Sequence, residues 1–369
     1  MRKTRILYVI TSLGLGGAEN LLLSYLRKLD NTKYIFHVCC LREKPDDLYN
    51  EITNYALVTN LNVKNKFNPV IIFHLIKLIR SYKPDIIHTH LFQPRIYTTF
   101  ANLFYHGAIL ITHKHNRVNP IKHNIFIFLE MLSSLFNKKI IAISESVKES
   151  LQKYEFIPEK KIIVIPNAIE YQIFSNTVKI KDVNEKKKLI IGTIGRLEKQ
   201  KGIEYLILAM KQILTRFPEA RLEIIGDGSQ AEKLKNLCKK LGISNSVFFF
   251  GKFADVIPFY RRMDVFVLSS IYEGFGIVLL EAMASAVPVV ASNVGGVKEV
   301  INDMSSGLLV PSKNPNAIAS AVIRILEDPR LAKCLSDEGM NRAKLFDIRI
   351  HINKLDTLYT NLLGEESFR

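Results

Sequence analysis

No segment of this 369-residue chain stays apolar for the about 18 residues a membrane-spanning helix needs, so none is expected. The longest apolar stretches are interrupted by His74, Glu130 and Glu281. Cysteine is scarce: Cys39, Cys40, Cys238 and Cys334 show no C-x-x-C and no repeating spacing. That excludes a disulfide framework and a cysteine zinc site, and it points to a reducing, cytosolic setting. The opening MRKTRILYVI has an apolar run only from Ile6 to Ile10 and no cleavage-type ending, so it reads as a first β-strand rather than a signal peptide. Acidic residues are few in one half. Residues 1–188 carry 28 Lys+Arg against 15 Asp+Glu, and residues 189–369 carry 23 against 20, which places most of the net +16 in the first half. A one-sided basic surface suits an anionic partner such as nucleic acid, anionic lipid or a phosphorylated substrate; solvated lysine-rich faces are the alternative.

What is present is a globular composition, 48% hydrophobic and 23% charged, which excludes disorder over most of the length. The length suits two domains. Short β-branched runs alternate with amphipathic stretches. In the first half they predict strands at Arg5–Ile10, Ile35–Leu41, Asp85–His88, Ile109–Thr112, Lys139–Ile143 and Ile162–Ile165. Asn68 and Pro69 read as N-cap and first residue of a helix, and Pro120–Phe136 reads as another. In the second half, strands are expected at Leu189–Ile194, Arg221–Ile225, Val247–Phe250, Val265–Leu268 and Val289–Ala291. Helical patterns begin there near Gly202, Ser229, Ala254, Gly276, Asn316, Ser336 and Ile348. The polar stretch 176–188 breaks the alternation and marks a linker. The expected fold is α/β: two Rossmann-like domains, 1–175 and 189–347, facing a cleft, with the last helix, about 348–364, packing back on the first domain.

Three segments carry chemistry. In TSLGLGGAEN, Gly14, Gly16 and Gly17 permit positive φ and close approach of a ligand to the backbone. The dinucleotide fingerprint fails, because its third position falls on Glu19; a tight strand–helix turn without a ligand remains an alternative. In GRLEKQKG, Arg196 and Lys201 lie between a strand end and a helix, where a planar fork and a point charge suit phosphate oxygens; two solvated bases on a loop are the alternative. In YEGFGIVLLEAMASAVPVVAS, Glu273 stands before the turn Gly274-Phe275-Gly276, and Glu281 lies in the second turn of the following helix. Free helix N-terminal amides suit phosphate, and carboxylates accept hydrogen bonds from sugar hydroxyls. A carboxylate in so apolar a helix needs a partner.

These segments, together with IIGDG (Ile224–Gly228) and IPNAIE (Ile165–Glu170), resemble glycosyltransferase family 4 in their order and placement over nearly the whole chain. One departure is Ala168, where the family more often has Gly. The resemblance implies the GT-B fold and retaining transfer from a nucleotide sugar. Arg196 and Lys201 would then bind the donor diphosphate, Glu273 the donor-sugar hydroxyls, and Glu281 the ribose hydroxyls, with Gly274, Phe275, Gly276 and Ile277 forming the donor loop. Gly16 and Gly17 would let the first domain approach the ligand, and His115 in THKHN would lie near the transferring sugar.

His88 and His90, two apart in DIIHTH, share one face of a strand and are expected on the acceptor side. Their spacing also suits a metal, but no carboxylate or cysteine partner is apparent in the sequence. No D-x-D occurs, so neither a metal nor another cofactor is expected in the transfer. The donor would be a UDP- or GDP-hexose and the acceptor a saccharide or lipid-linked saccharide of bacterial surface polysaccharide assembly. No nucleic-acid module is recognisable, and nucleic acid is not expected as a partner. The basic first domain is expected to dock on the inner face of the cytoplasmic membrane through Lys64, Lys66, Phe67, Lys77, Arg80, Tyr82 and Lys83, and through Arg117, Lys122, Phe126, Phe128, Lys138 and Lys139.

Overall fold

A computed structural model describes residues 2–14, 16–42, 48–64, 68–105, 107–116, 124–176 and 189–367. It divides into two compact units, Met1–Asn167 with Ile348–Arg369, and Ala168–Asp347.

The first unit is built on seven strands, β1 (Thr4–Ile10), β2 (Tyr34–Cys40), β3 (Leu57–Asn60), β4 (Ile86–His90), β5 (Ile109–Lys114), β6 (Lys139–Ala142) and β7 (Ile162–Val164). They form one parallel sheet in the order β3-β2-β1-β4-β5-β6-β7. The second unit holds β8 (Ile190–Ile194), β9 (Arg221–Ile225), β10 (Val247–Gly251), β11 (Val265–Leu268), β12 (Val289–Ser292) and β13 (Leu308–Val310), parallel in the order β10-β9-β8-β11-β12-β13. Strand order reverses between β1 and β4 in one sheet and between β8 and β11 in the other. Open α/β sheets bind ligands at the carboxyl ends of strands at such points. The two strands that patterning does not predict, β3 and β13, are edge strands of four and three residues.

Alternation along the central strands gives the first sheet two unlike faces. Leu7, Val9, Ile87 and Leu110 lie in an apolar core with Ile71, Leu75 and Ile79, one stripe of the helix Val70–Tyr82. That helix starts one residue later than predicted, because Pro69 is its N-cap and the Asn68 side chain accepts from Val70 N–H at 3.0 Å. The opposite face carries Tyr8, His88, His90 and His113, all buried, with Tyr25 from the helix Gly17–Lys28 and His351 and Tyr359 from the last helix, Ile348–Ser367. Tyr34 Oη donates to Asp356 at 2.7 Å along the same helix. The second unit has its own apolar core, in which Ile191, Val265, Val267 and Val290 of the sheet meet Leu206 and Met210 of the helix Ile203–Arg216.

The first segment of the first compact unit runs to Asn167, and residues 168–175 pack with the second unit. Ile169 N–H donates to Phe346 O at 3.0 Å, and the helix Tyr171–Ser175 packs on the helices Ile277–Ala284 and Pro329–Lys344. The predicted linker, from 177 to 188, lies outside the described residues, as does the beginning of the helix predicted from Pro120, which is seen from Asn124.

Backbone contacts bind the loop after β8 to the loop after β9. Gly195 N–H donates to Ile225 O and Leu197 N–H to Asp227 O, both at 2.9 Å. Gly226 sits at φ +135°, and a Cβ there would lie 1.9 Å from Gly195 O. Neither the torsion nor the space admits a side chain. Gly226→Ala is expected to destabilise the second unit by about 1–3 kcal/mol, seen as a lower urea midpoint; an unchanged midpoint would show that the two loops can separate without cost.

Candidate active site

In the second unit, the loops that follow β8 and β11 are joined at several points. Ile271 N–H donates to Gln200 O at 2.8 Å, Gln200 Nε2 to Tyr272 O at 3.1 Å, and Ser269 Oγ to Lys201 O at 3.2 Å. Gly202, at φ +57°, allows this approach, since a Cβ would stand 2.3 Å from Ser269 O. Lys201 closes the short 3-10 turn Lys199–Lys201, and its ammonium lies 2.6 Å from Glu273 Oε2. Ser270 Oγ donates to the same carboxylate oxygen at 3.2 Å. The sequence therefore names both members of an ion pair, but assigns them separate tasks. Their side chains are only 17% and 10% exposed, so removing either leaves a poorly hydrated charge on the other. An ammonium has three N–H donors, and the pair uses one. Arg196, on the same loop, is exposed.

After Glu273 the chain turns sharply. Gly296 N–H donates to Glu273 O at 3.2 Å, and a Cβ on Gly296 would stand 2.1 Å from Gly274 O. Gly276 caps the helix Ile277–Ala284 at φ +94°. Gly274 and Phe275 are buried and Ile277 is half-buried. Phe275 packs edge-on against Phe346 at 5.5 Å, so its ring belongs to the core and only its main chain can face a ligand. On the helix, Glu281 has the partner its apolar setting requires: Tyr260 Oη donates to Oε2 at 2.8 Å. Burial pushes the Glu281 carboxyl up to about 7, against the lowering effect of the Tyr260 hydrogen bond.

The first-unit residues form their own group. Gly16 is the extended N-cap of the helix Gly17–Lys28, at φ −159°, so a left-handed backbone is not why glycine stands there. A Cβ would instead fall 2.4 Å from Glu19 Oε2, and the glycine makes room for that carboxylate. His88 and His90 are fully buried because β4 is central in the sheet and covered on both faces. They present no surface to an acceptor, which corrects the reading of them as acceptor-side residues. His115, just past β5, is half-buried and its Nε2 lies 3.1 Å from His90 Nδ1. Burial, and then His351, hold the His115 imidazolium down to about 3, so the ring is neutral near pH 7. Lys114, between His113 and His115, binds Glu130 at 2.8 Å and Glu155 at 2.7 Å.

Family models match both halves of the chain: "Glycosyltransferase Family 4" over residues 15–172 and "Glycosyl transferases group 1" over 175–342. An uncharacterized glycosyltransferase of Methanocaldococcus jannaschii, MJ1178, is 30% identical over 73% of both chains. The chain belongs to glycosyltransferase family 4. A second relative of this family 4 chain, at 24% identity over 98% of both, is the Escherichia coli UDP-Gal:alpha-D-GlcNAc-diphosphoundecaprenol alpha-1,3-galactosyltransferase. Anabaena HepE, solved with UDP-glucose, superposes with a TM-score of 0.86 at 20% identity, covering 97% of this chain and 99% of that one, and gives the fold as GT-B. Ala168, where the family more often has Gly, is not among the positive-φ positions, so alanine fits there without strain.

Sequence reasoning missed Tyr260, Ser270 and His113. Ser270 lies beside the E-G-F-G segment and was in view. Tyr260 had no signal beyond the demand of Glu281 for a partner. His113 is the register partner of His90, which pairing reveals and spacing alone does not.

The Glu281 shift gives a pH test. Between about 4.5 and 7 the folded carboxyl holds a proton that the unfolded chain has released, so this group's contribution to stability falls as pH rises through that window. Glu281→Gln is therefore expected to stabilise the protein by about 1–3 kcal/mol at pH 8 and by little at pH 5. Parallel thermal midpoints of wild type and variant across that range would contradict the buried-acid assignment.

Proposed function

We propose that this family 4 glycosyltransferase moves a hexose, with retention, from a UDP- or GDP-type nucleotide sugar to a saccharide or lipid-linked saccharide. The observation that carries the reading is the Lys201–Glu273 pair at the carboxyl ends of β8 and β11, with Glu281 on the helix that follows. Arg196 and Lys201 meet the negative charge that grows on the leaving diphosphate, aided by the first N–H groups of the helix Ile277–Ala284. The pair with Glu273 holds the Lys201 ammonium before the donor arrives, so little reorganisation is needed as charge develops. Glu273 accepts from donor-sugar hydroxyls, and Glu281 accepts from the ribose. Gly16 and Gly17 leave space at the first-unit loop, and neutral His115 offers a hydrogen bond near the transferring sugar. The acceptor attacks the face from which the diphosphate leaves. UDP-glucose in HepE and the diphosphoundecaprenol acceptor in the E. coli relative's name support a nucleotide-sugar donor and a lipid-linked acceptor. No divalent metal is required at the diphosphate, since two cationic side chains supply its counter-charge. Nucleic acid is not a partner.

Arg196→Ala and Lys201→Ala should each lower turnover at least about tenfold, the rate equivalent of roughly 1.4 kcal/mol. Wild-type turnover in both would remove the diphosphate assignment, and turnover abolished by EDTA and restored specifically by Mn²⁺ would remove the metal-free one.

The proposed setting is bacterial surface polysaccharide assembly on the cytoplasmic face of the membrane. Among the described residues no helix is long and apolar enough to cross it. Phe73, Lys77 and Arg80 lie exposed on one face of the helix Val70–Tyr82, Phe73 at 71% exposure, and Arg80 reaches the carbonyl of Phe104, itself 59% exposed. Bases beside exposed aromatics suit an anionic bilayer. Phe128 of the second basic group is also exposed. Lys66, Phe67, Arg117 and Lys122 lie outside the described residues, as does the side chain of Phe126. In flotation assays the protein should bind anionic vesicles at low salt, release as salt rises, and ignore neutral vesicles; no binding to either at low salt would end the membrane proposal.

A further inference from the structure

The histidine face of the first sheet has no part in the transfer chemistry proposed for the second unit, and it is unusual in its hydrogen-bond accounting. His88 and His90 come from β4 and His113 from β5, with His90 and His113 directly paired. One ring nitrogen of each lies within 4.8 Å of one from each of the others. In all three the Nε2 atom is buried without a hydrogen-bond partner among the described residues. In all three the Nδ1 atom is engaged: by Tyr359 Oη at 2.6 Å for His88, by His115 Nε2 at 3.1 Å for His90, and by Tyr25 Oη at 3.2 Å for His113. Buried ring nitrogens are ordinarily satisfied, so three orphans on one side of one cluster call for a common partner.

The proton positions around His113 follow from its neighbours. His351 Nδ1 lies 2.7 Å from the carbonyl oxygen of Pro166, which can only accept, so that nitrogen carries the hydrogen. Burial keeps His351 neutral near pH 7, with its pKa held down to about 4, so its Nε2 is an acceptor. The Tyr25 hydroxyl, 2.7 Å away, donates to it. Its one hydrogen spent, the Tyr25 oxygen can only accept from His113 Nδ1–H. His113 Nε2 is therefore left with a bare lone pair that no described residue donates to.

We propose that His88, His90 and His113 form a binding site for a divalent transition metal of the zinc type, ligated through their Nε2 atoms. Three imidazoles without a carboxylate suit zinc, cobalt, nickel or copper, whereas magnesium and calcium require oxygen ligands. Zinc holds imidazole nitrogens at about 2.0–2.1 Å, which sets them roughly 3.4 Å apart, so the rings must draw together on binding. Tyr359, His115 and Tyr25, each on an Nδ1, are placed as the outer hydrogen-bonding shell that orients ligating histidines. A fourth ligand, a water for instance, would complete the tetrahedral set. The site consists of first-unit residues alone and stands or falls independently of the diphosphate assignment.

The test uses the full chain without a polyhistidine tag, stripped with a chelator, resupplied with Zn²⁺ and freed of excess by gel filtration. Elemental analysis is expected to find about one zinc per chain, with affinity lowered in His88→Gln and in His113→Gln by more than the about 10–100-fold that loss of an outer-shell partner costs, and unchanged in His74→Gln, a control at an exposed position. Co²⁺ in the unmutated chain should give the visible bands of a four-coordinate site, and Zn²⁺ but not Mg²⁺ should raise its thermal midpoint. If the unmutated chain retains no zinc, shows no Co²⁺ bands and gains no stability, the proposal is overturned and the orphan nitrogens belong to a buried water. Retention that is equal in the wild type and both variants overturns it as well.

Discussion

One contact, Lys201 to Glu273, organises the second unit's site. It joins the loops that leave β8 and β11, the neighbouring strands between which the sheet order reverses. A parallel sheet opens a crevice at that reversal, and the crevice is useful only if the loops on its two sides keep a fixed spacing. The ion pair does this with side chains, and the contact of Ser269 with Lys201 O and the close approach at Gly202 do it with backbone. Each member of the pair is also a group to which the proposed function gives a donor contact. The same contact that joins the loops therefore also fixes where the ammonium and the carboxylate point.

The loops owe their closeness to missing side chains as much as to attraction. Gly226 against Gly195 O, Gly296 against Gly274 O and Gly202 against Ser269 O are three places where one backbone occupies the volume of a Cβ. Gly202, Gly274 and Gly276 are legible in the sequence because they punctuate motifs that also contain charges. Gly296 lies in an unremarkable run, and only the fold shows what it faces.

Patterning recovered most of the architecture because the central strands, buried on both faces, leave long β-branched runs such as ILYVI and VFVL. It missed β3 and β13, the first of which, LVTN, is half polar. It placed the domain boundary after residue 175 because the polar run begins there, whereas packing of Tyr171–Ser175 puts it at Asn167. Of the site, charged residues within motifs were readable. Their pairing was not, since Lys201 and Glu273 are far apart in sequence. His88 and His90 were visible as a pair on one face, but their complete burial and the third histidine depended on the register of β4 with β5. Glu130, seen only as a break in an apolar helix, proves to belong to a buried charge cluster with Arg95, Lys114 and Glu155.

The return of Ile348–Ser367 to the first unit has a consequence for biosynthesis. A ribosome delivers β1 to β7 early, and the first sheet can begin to pair at once. Tyr34, His88 and Tyr25 then wait for Asp356, Tyr359 and His351, the last partners to be made. Until those residues emerge, one face of the sheet lacks its cover and its polar groups turn to water. The second unit, contiguous in the chain from Ala168 to Asp347, has all its parts before then. The usual order of domain maturation during synthesis, N-terminal first, is thus reversed: the first unit to be translated is the last to be finished.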